Sequence, residues 1–108
     1  MVNIEHYTYR ITWSAEDAEF VGLCAEFPSL SWLAGSRVEA LTGITALVAD
    51  ILNDMQTHGE TPPVPLAEKH YSGKLVLRMP PDQHRRLAIS ASEEGVSLNR
   101  YLCARLAV

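Results

Sequence analysis

The chain has 108 residues, enough for one ordinary domain or two very small ones. With 47% hydrophobic and 20% charged residues it reads as globular, and it holds no run near the ~20 apolar residues that a membrane span requires. The net charge of −4 hides a split: residues 1–70 carry three basic and ten acidic side chains, net −7, whereas residues 71–108 carry six basic and three acidic, net +3.

An acidic body joined to a mildly basic end suits a protein that meets a polyanion at that end. Met1-Val2-Asn3-Ile4-Glu5 lacks the basic start and apolar core of a secretion signal, so a cytoplasmic protein is expected. Cys24 and Cys103 lie in apolar stretches without CxxC or Cys/His spacing, which predicts buried, reduced thiols.

Tyr7 to Trp13 alternates apolar and polar residues and predicts a strand. The turn Ser14-Ala15-Glu16-Asp17 follows, then a second strand from Glu19 to Phe27, stopped by Pro28. Ser29 to Leu33 is a short third strand. Ser36 is a helix N-cap, and Glu39 three residues on completes a capping box. Val38, Leu41, Ile44, Val48, Ile51, Leu52 and Met55 then recur at helical steps over about 20 residues, one apolar face for packing on the sheet. Gly43 leaves room for a close approach. His58-Gly59 ends the helix, and Pro62, Pro63 and Pro65 forbid another. Val64 to Ala67 is a candidate fourth strand. The expectation is an α+β protein: a β-β-β-α(-β) domain over residues 1–66, a linker over 67–73, and a second domain over 74–108.

The second domain reads as strand, helix, helix. Lys74 to Met79 is the strand, with Leu75, Leu77 and Met79 on one face and Lys74, Val76 and Arg78 on the other. Pro80 stops it, Pro81 suits the first helical position, and Asp82 suits the first turn. That helix runs to about Glu94 with Leu87, Ala88 and Ala91 inward, and Gly95 caps its end. Ser97 caps a last helix whose apolar face is Leu98, Tyr101, Leu102 and Leu106.

A lone strand with two short helices in 38 residues is below the size that folds unaided, and its edges are bare. Antiparallel pairing with the same strand of a second chain repairs both faults and gives a twofold dimer. The ribbon so formed fits the DNA major groove. Lys74, Val76 and Arg78 are then the base-reading row: Arg78 for guanine, Lys74 for a base or phosphate, Val76 for a thymine methyl. Ser97, Leu98, Asn99 and Arg100 open the last helix and are the phosphate-binding group.

These residues resemble a known family. Tyr71-Ser72-Gly73-Lys74-Leu75-Val76-Leu77-Arg78-Met79-Pro80-Pro81, His84-Arg85-Arg86-Leu87-Ala88 and Glu94-Gly95-Val96-Ser97-Leu98-Asn99 are similar to the C-terminal ribbon-helix-helix of HicB-family antitoxins. The first hairpin, Phe27-Pro28-Ser29-Leu30 and Ser36-Arg37-Val38-Glu39-Ala40-Leu41 resemble that family's N-terminal domain, a partial ribonuclease-H-like fold. Ser31-Trp32 departs from its usual Pro-Gly pair. The resemblance implies a type II toxin–antitoxin role. The N-terminal domain would mask a HicA-like mRNA interferase toxin, and the ribbon would bind the operator DNA of its own operon as repressor. A basic toxin suits a domain at net −7. Two dimerising domains could build a tetramer. A second reading stays open: a stand-alone ribbon-helix-helix regulator whose N-terminal domain senses a ligand or oligomerises.

No catalytic centre, cofactor or metal is expected. Asp17 and Glu19 sit at a turn, and Glu26, seven residues past Glu19, falls on the opposite face of a regular strand, so the carboxylates do not converge. His6, His58, His70 and His84 are scattered without HxxxH or HExxH spacing. Trp13 and Trp32 are expected in a core or an interface.

Overall fold

The computed structural model describes residues 2–107; the expected domain ends at Met1 and Val108 lie outside them. The elements are β1 (Tyr9–Ser14), β2 (Glu19–Cys24), β3 (Ser31–Ala34), α1 (Arg37–Thr57), α2 (Pro81–Glu93) and α3 (Leu98–Leu106), with 3-10 turns at Ile4–His6 and Leu66–Glu68. The chain is α+β and divides into two compact units between Tyr71 and Ser72.

In the N-terminal unit the strands form an antiparallel sheet in the order β1-β2-β3. Its register aligns Ile11, Gly22 and Trp32 in one row and Thr12, Val21 and Leu33 in the next. Alternation sends the first row to the face that α1 covers and the second to the open face. On α1, Ala40, Ile44 and Val48 recur every four residues and are fully buried. Leu47 and Leu52 pack on the core that Ile44 and Val48 share with Tyr7 and Cys24. Two members of the expected apolar face are not core: Val38 is 74% exposed and Leu41 44%. At about 100° per residue Val38 lies about a third of a turn from Ile44, the centre of the Ala40–Ile44–Val48 row, and Leu41 about a sixth of a turn, at the row's margin.

Gly22 and Gly43 set how closely helix and sheet approach. A Cβ on Gly22 would stand 2.7 Å from the Ala40 carbonyl oxygen and 2.9 Å from the Ile44 side chain. A Cβ on Gly43 would run into the indole of Trp32. The close approach anticipated at Gly43 is therefore present, and Trp32 is the residue that uses it. Neither tryptophan is core: Trp32 is 44% exposed and Trp13, edge-on to Phe20, is 54% exposed.

Three strand expectations need correction. The second strand stops at Cys24, because Phe27 N–H turns back to the Cys24 carbonyl at 3.1 Å. The third occupies Ser31–Ala34, not Ser29–Leu33, because Leu30 N–H bonds the Phe27 carbonyl at 3.0 Å and closes a turn. Val64 to Ala67 adds no fourth strand: two flanking prolines offer no donors, and Leu66–Glu68 coils into a 3-10 turn. The capping box at Ser36 is also only half made. Its Oγ accepts from Glu39 N–H at 3.2 Å, and no return bond from the Glu39 side chain forms among the described residues.

Glu26 holds that proline-rich segment in place. Its carboxylate accepts from Leu66 N–H at 2.9 Å, from Thr8 N–H at 2.9 Å and from the Thr8 hydroxyl at 3.1 Å. The Tyr7 hydroxyl donates to the Pro63 carbonyl at 2.8 Å, and His6 pairs with Glu68. Burial alone would raise the Glu26 carboxyl, but the bonds from Leu66 and Thr8 outweigh it and hold the group below its ordinary value. A depressed carboxyl stabilises the fold above its unfolded value of about 4.5 and loses that contribution as pH falls through the folded value. Thermal melts of the N-terminal unit should therefore weaken below about pH 4.5. Glu26→Gln should cost ~1–3 kcal/mol at neutral pH and reduce that acid dependence. An unchanged acid slope in the variant would show that Glu26 is not the linked group.

In the C-terminal unit Pro81 opens α2 as expected, and His84 N–H bonds the Pro80 carbonyl at 3.1 Å. α2 ends on Gly95 at φ +70°, where Val96 N–H reaches the Ala91 carbonyl and Gly95 N–H the Ser92 carbonyl, both at 3.1 Å. This paired closure reverses the chain into α3.

Candidate nucleic-acid interface

Lys74 to Met79 is the segment from which the base-reading row was expected. In the single chain it forms no strand, because no second strand lies beside it to complete a ladder. Its apolar residues lack cover: Leu75 is 85% exposed, Val76 82% and Leu77 55%. Lys74 and Arg78 are exposed as well. The Ser72 hydroxyl accepts from Lys74 N–H at 3.1 Å and closes the turn that leads into the segment.

Leu77, Arg78 and Met79 line an open cleft of about 440 Å³ together with His84 of α2 and Leu98 and Leu102 of α3. The fold thus brings Arg78 beside the first turn of α3. Lys74 and Val76 do not reach this cleft. His84 was not anticipated; a lone histidine on a polar helix face carries no signal of its own.

At the start of α3 the Ser97 side chain accepts from Arg100 N–H at 3.1 Å. The Ser97 hydroxyl is thereby the cap of the helix, as expected of it. The Ser97 oxygen and the Arg100 amide satisfy each other. Leu98 and Asn99, as first and second helical residues, have no intrahelical acceptor for their N–H groups. Those two amides are the donors free for an anion, and the exposed side chains of Asn99 and Arg100 flank them.

Ion pairing separates the cations. Arg85 lies 3.6 Å from Asp82, and Arg105 lies 3.6 Å from Glu94 while covering the Tyr101 ring at 4.8 Å. Among the described residues Lys74, Arg78, Arg86 and Arg100 have no carboxylate within pairing distance. The expected base-reading cations are thus free, and Arg85 and Arg105 are tied within the unit.

The apolar sides of the two helices are poorly covered in one chain. Ala91 is buried and Leu87 half-buried, but Ala88 is exposed, contrary to expectation, and Leu106 is 63% exposed. Ile89 is 51% exposed. Cys24 is buried as expected, whereas Cys103 is exposed, because a short helix over an incomplete core leaves its far side open.

The carboxylates have local explanations. Asp17 accepts from the Ser14 hydroxyl at 2.8 Å within the hairpin turn, and Glu26 is consumed by Thr8 and Leu66. Among the described residues no three His, Cys, Asp or Glu side chains gather as a metal site, and no helix is long and apolar enough to cross a membrane.

Residues 57–106 match the model of the HicB family. The matched stretch takes in the C-terminal end of α1, the proline-rich segment, the unpaired segment and both short helices. Neither the curated proteins nor the solved structures gave a match.

Proposed function

We propose that this chain is a HicB-type antitoxin that acts in the cytoplasm by binding, without catalysis, and represses its own operon. The observation that carries the reading is the bare segment Lys74–Met79 inside the family match, with Leu75 and Leu77 largely exposed and Leu77 lining an open cleft. A second copy laid antiparallel supplies the missing ladder and covers the leucines, giving a ribbon-helix-helix dimer. The other face then presents Lys74, Val76 and Arg78 twice over to the major groove. The Leu98 and Asn99 amides hold the flanking phosphates.

The N-terminal unit holds the toxin, a HicA-like mRNA interferase. Support comes from its net −7 charge, which favours a basic, RNA-handling partner. Two measurements test the two halves. Co-expression with the small reading frame adjacent to the gene should yield a stable complex; a locus with no such frame argues for the stand-alone regulator instead. Arg78→Ala should lower affinity for promoter DNA by about 1–3 kcal/mol while leaving random-sequence affinity nearly unchanged. An equal loss on both DNAs would assign Arg78 to the backbone, not to base reading.

A further inference from the structure

The two outer strands of the N-terminal sheet are not equivalent. β1 carries Arg10, whose exposed side chain on an edge strand discourages pairing with another chain. β3 carries nothing of the kind. From Phe27 to Ser36 ten successive residues are uncharged, in a unit that otherwise has thirteen charged side chains over residues 1–70. The outward backbone groups of Ser31–Ala34 have no partner among the described residues. Large apolar side chains flank this edge on both faces: Trp32 is 44% exposed on the α1 side and Leu33 is 45% exposed on the open side. The α1 segment beside β3 is neutral too, since residues 40–49 hold no charge and Gly43 meets Trp32.

We propose that β3 is a homotypic docking edge, at which two copies of this chain pair antiparallel and extend their sheets into one of six strands. A second copy fits better than a charged partner because this flank is uncharged on a strongly acidic unit. Net −7 over residues 1–70 of each copy opposes contact elsewhere on this unit, and added salt relieves that repulsion. Antiparallel twofold pairing places both α1 helices on the same side of the joined sheet. The α1 helix crosses over Gly22 of β2 and Trp32 of β3, so the two helices flank the seam and the two indoles fill it. On the other side Leu33 meets its twin, continuous with Val21 of its own row. Combined with C-terminal ribbon pairing, this edge yields a four-chain assembly; that count rests on the ribbon reading, and the edge itself does not.

Sedimentation of the full chain, of Leu33→Lys and of Thr12→Lys tests the proposal. Thr12 is the exposed β1 residue in the same cross-strand row as Leu33, so the two variants put one charge on opposite edges. The expected result is four chains for the parent and Thr12→Lys, two for Leu33→Lys, and stronger assembly in 0.5 M than in about 0.1 M salt. A two-chain parent with a one-chain Leu33→Lys upholds the edge and removes the ribbon. Leu33→Lys assembling like the parent, or Thr12→Lys alone dissociating, overturns the proposal. Trp13→Phe leaves Trp32 as sole tryptophan and guards against misfolding of the lysine variant. Its emission should move to the blue as concentration rises; emission independent of concentration is incompatible with the edge.

Discussion

Leu75→Asp is expected to abolish operator binding while leaving the fold of the single chain intact. The side chain is 85% exposed in one chain, so the substitution removes almost no contact there. In a ribbon dimer the same side chain lies over the helices, and twofold symmetry counts it twice. Burying a leucine is worth about 1.5–3 kcal/mol, so two copies contribute on the order of 4 kcal/mol to pairing. That is about 10³-fold in the pairing constant, before the cost of burying two carboxylates is added. Since each half-ribbon holds only three outward residues, DNA affinity should fall with the pairing. Circular dichroism checks the fold, and fluorescence anisotropy on promoter DNA checks binding. Promoter affinity within a few-fold of the parent would mean that the segment contacts DNA, if at all, as a single strand.

Gly22→Val is expected to unfold the N-terminal unit. The added Cβ would stand 2.7 Å from the Ala40 carbonyl oxygen, a backbone atom that cannot rotate away, and 2.9 Å from the fully buried Ile44. Relief requires α1 to lift off the sheet, which opens the core that Ile44 and Val48 share with Tyr7 and Cys24. Overpacking costs about 1–3 kcal/mol where neighbours can shift, and more where they cannot. For a unit this small that approaches its whole stability. Gly22→Ala should show a milder form of the same loss. A melting temperature for Gly22→Val within a few degrees of the parent's would mean that the helix rides higher than its contact with Gly22 indicates.

Local chemistry explains why so many boundaries were legible. Ser36 and Ser97 cap their helices through hydroxyls that reach the amide three residues on. Gly59 and Gly95 end helices at φ +70° because a residue without Cβ adopts that backbone freely. Pro81 opens α2 with the φ that a first turn needs. Each signal lies within four residues of its effect. The third strand was misplaced because its start is set by the Phe27–Leu30 turn bond, which competes with strand pairing over two residues.

The sequence by itself determined the order of the elements, the caps that bound the helices, the alternation along Lys74–Met79 and the division of charge between the two ends. These depend on neighbours along the chain or on simple periodicity. Only the tertiary structure decided what depends on groups far apart in sequence. In the sequence Glu26 is only a strand carboxylate on the face opposite Glu19, and in the fold it is a clamp 40 residues from Leu66. The candidate strand at Val64 became a 3-10 turn because that clamp and two prolines left it nothing to pair with. Val38 and Leu41 fit the helical pattern yet lie outside the core, since the sheet is three strands wide and covers only the Ala40–Ile44–Val48 side of α1. The cleft that joins Arg78 to α3 likewise follows from where the helices pack and not from any residue's type.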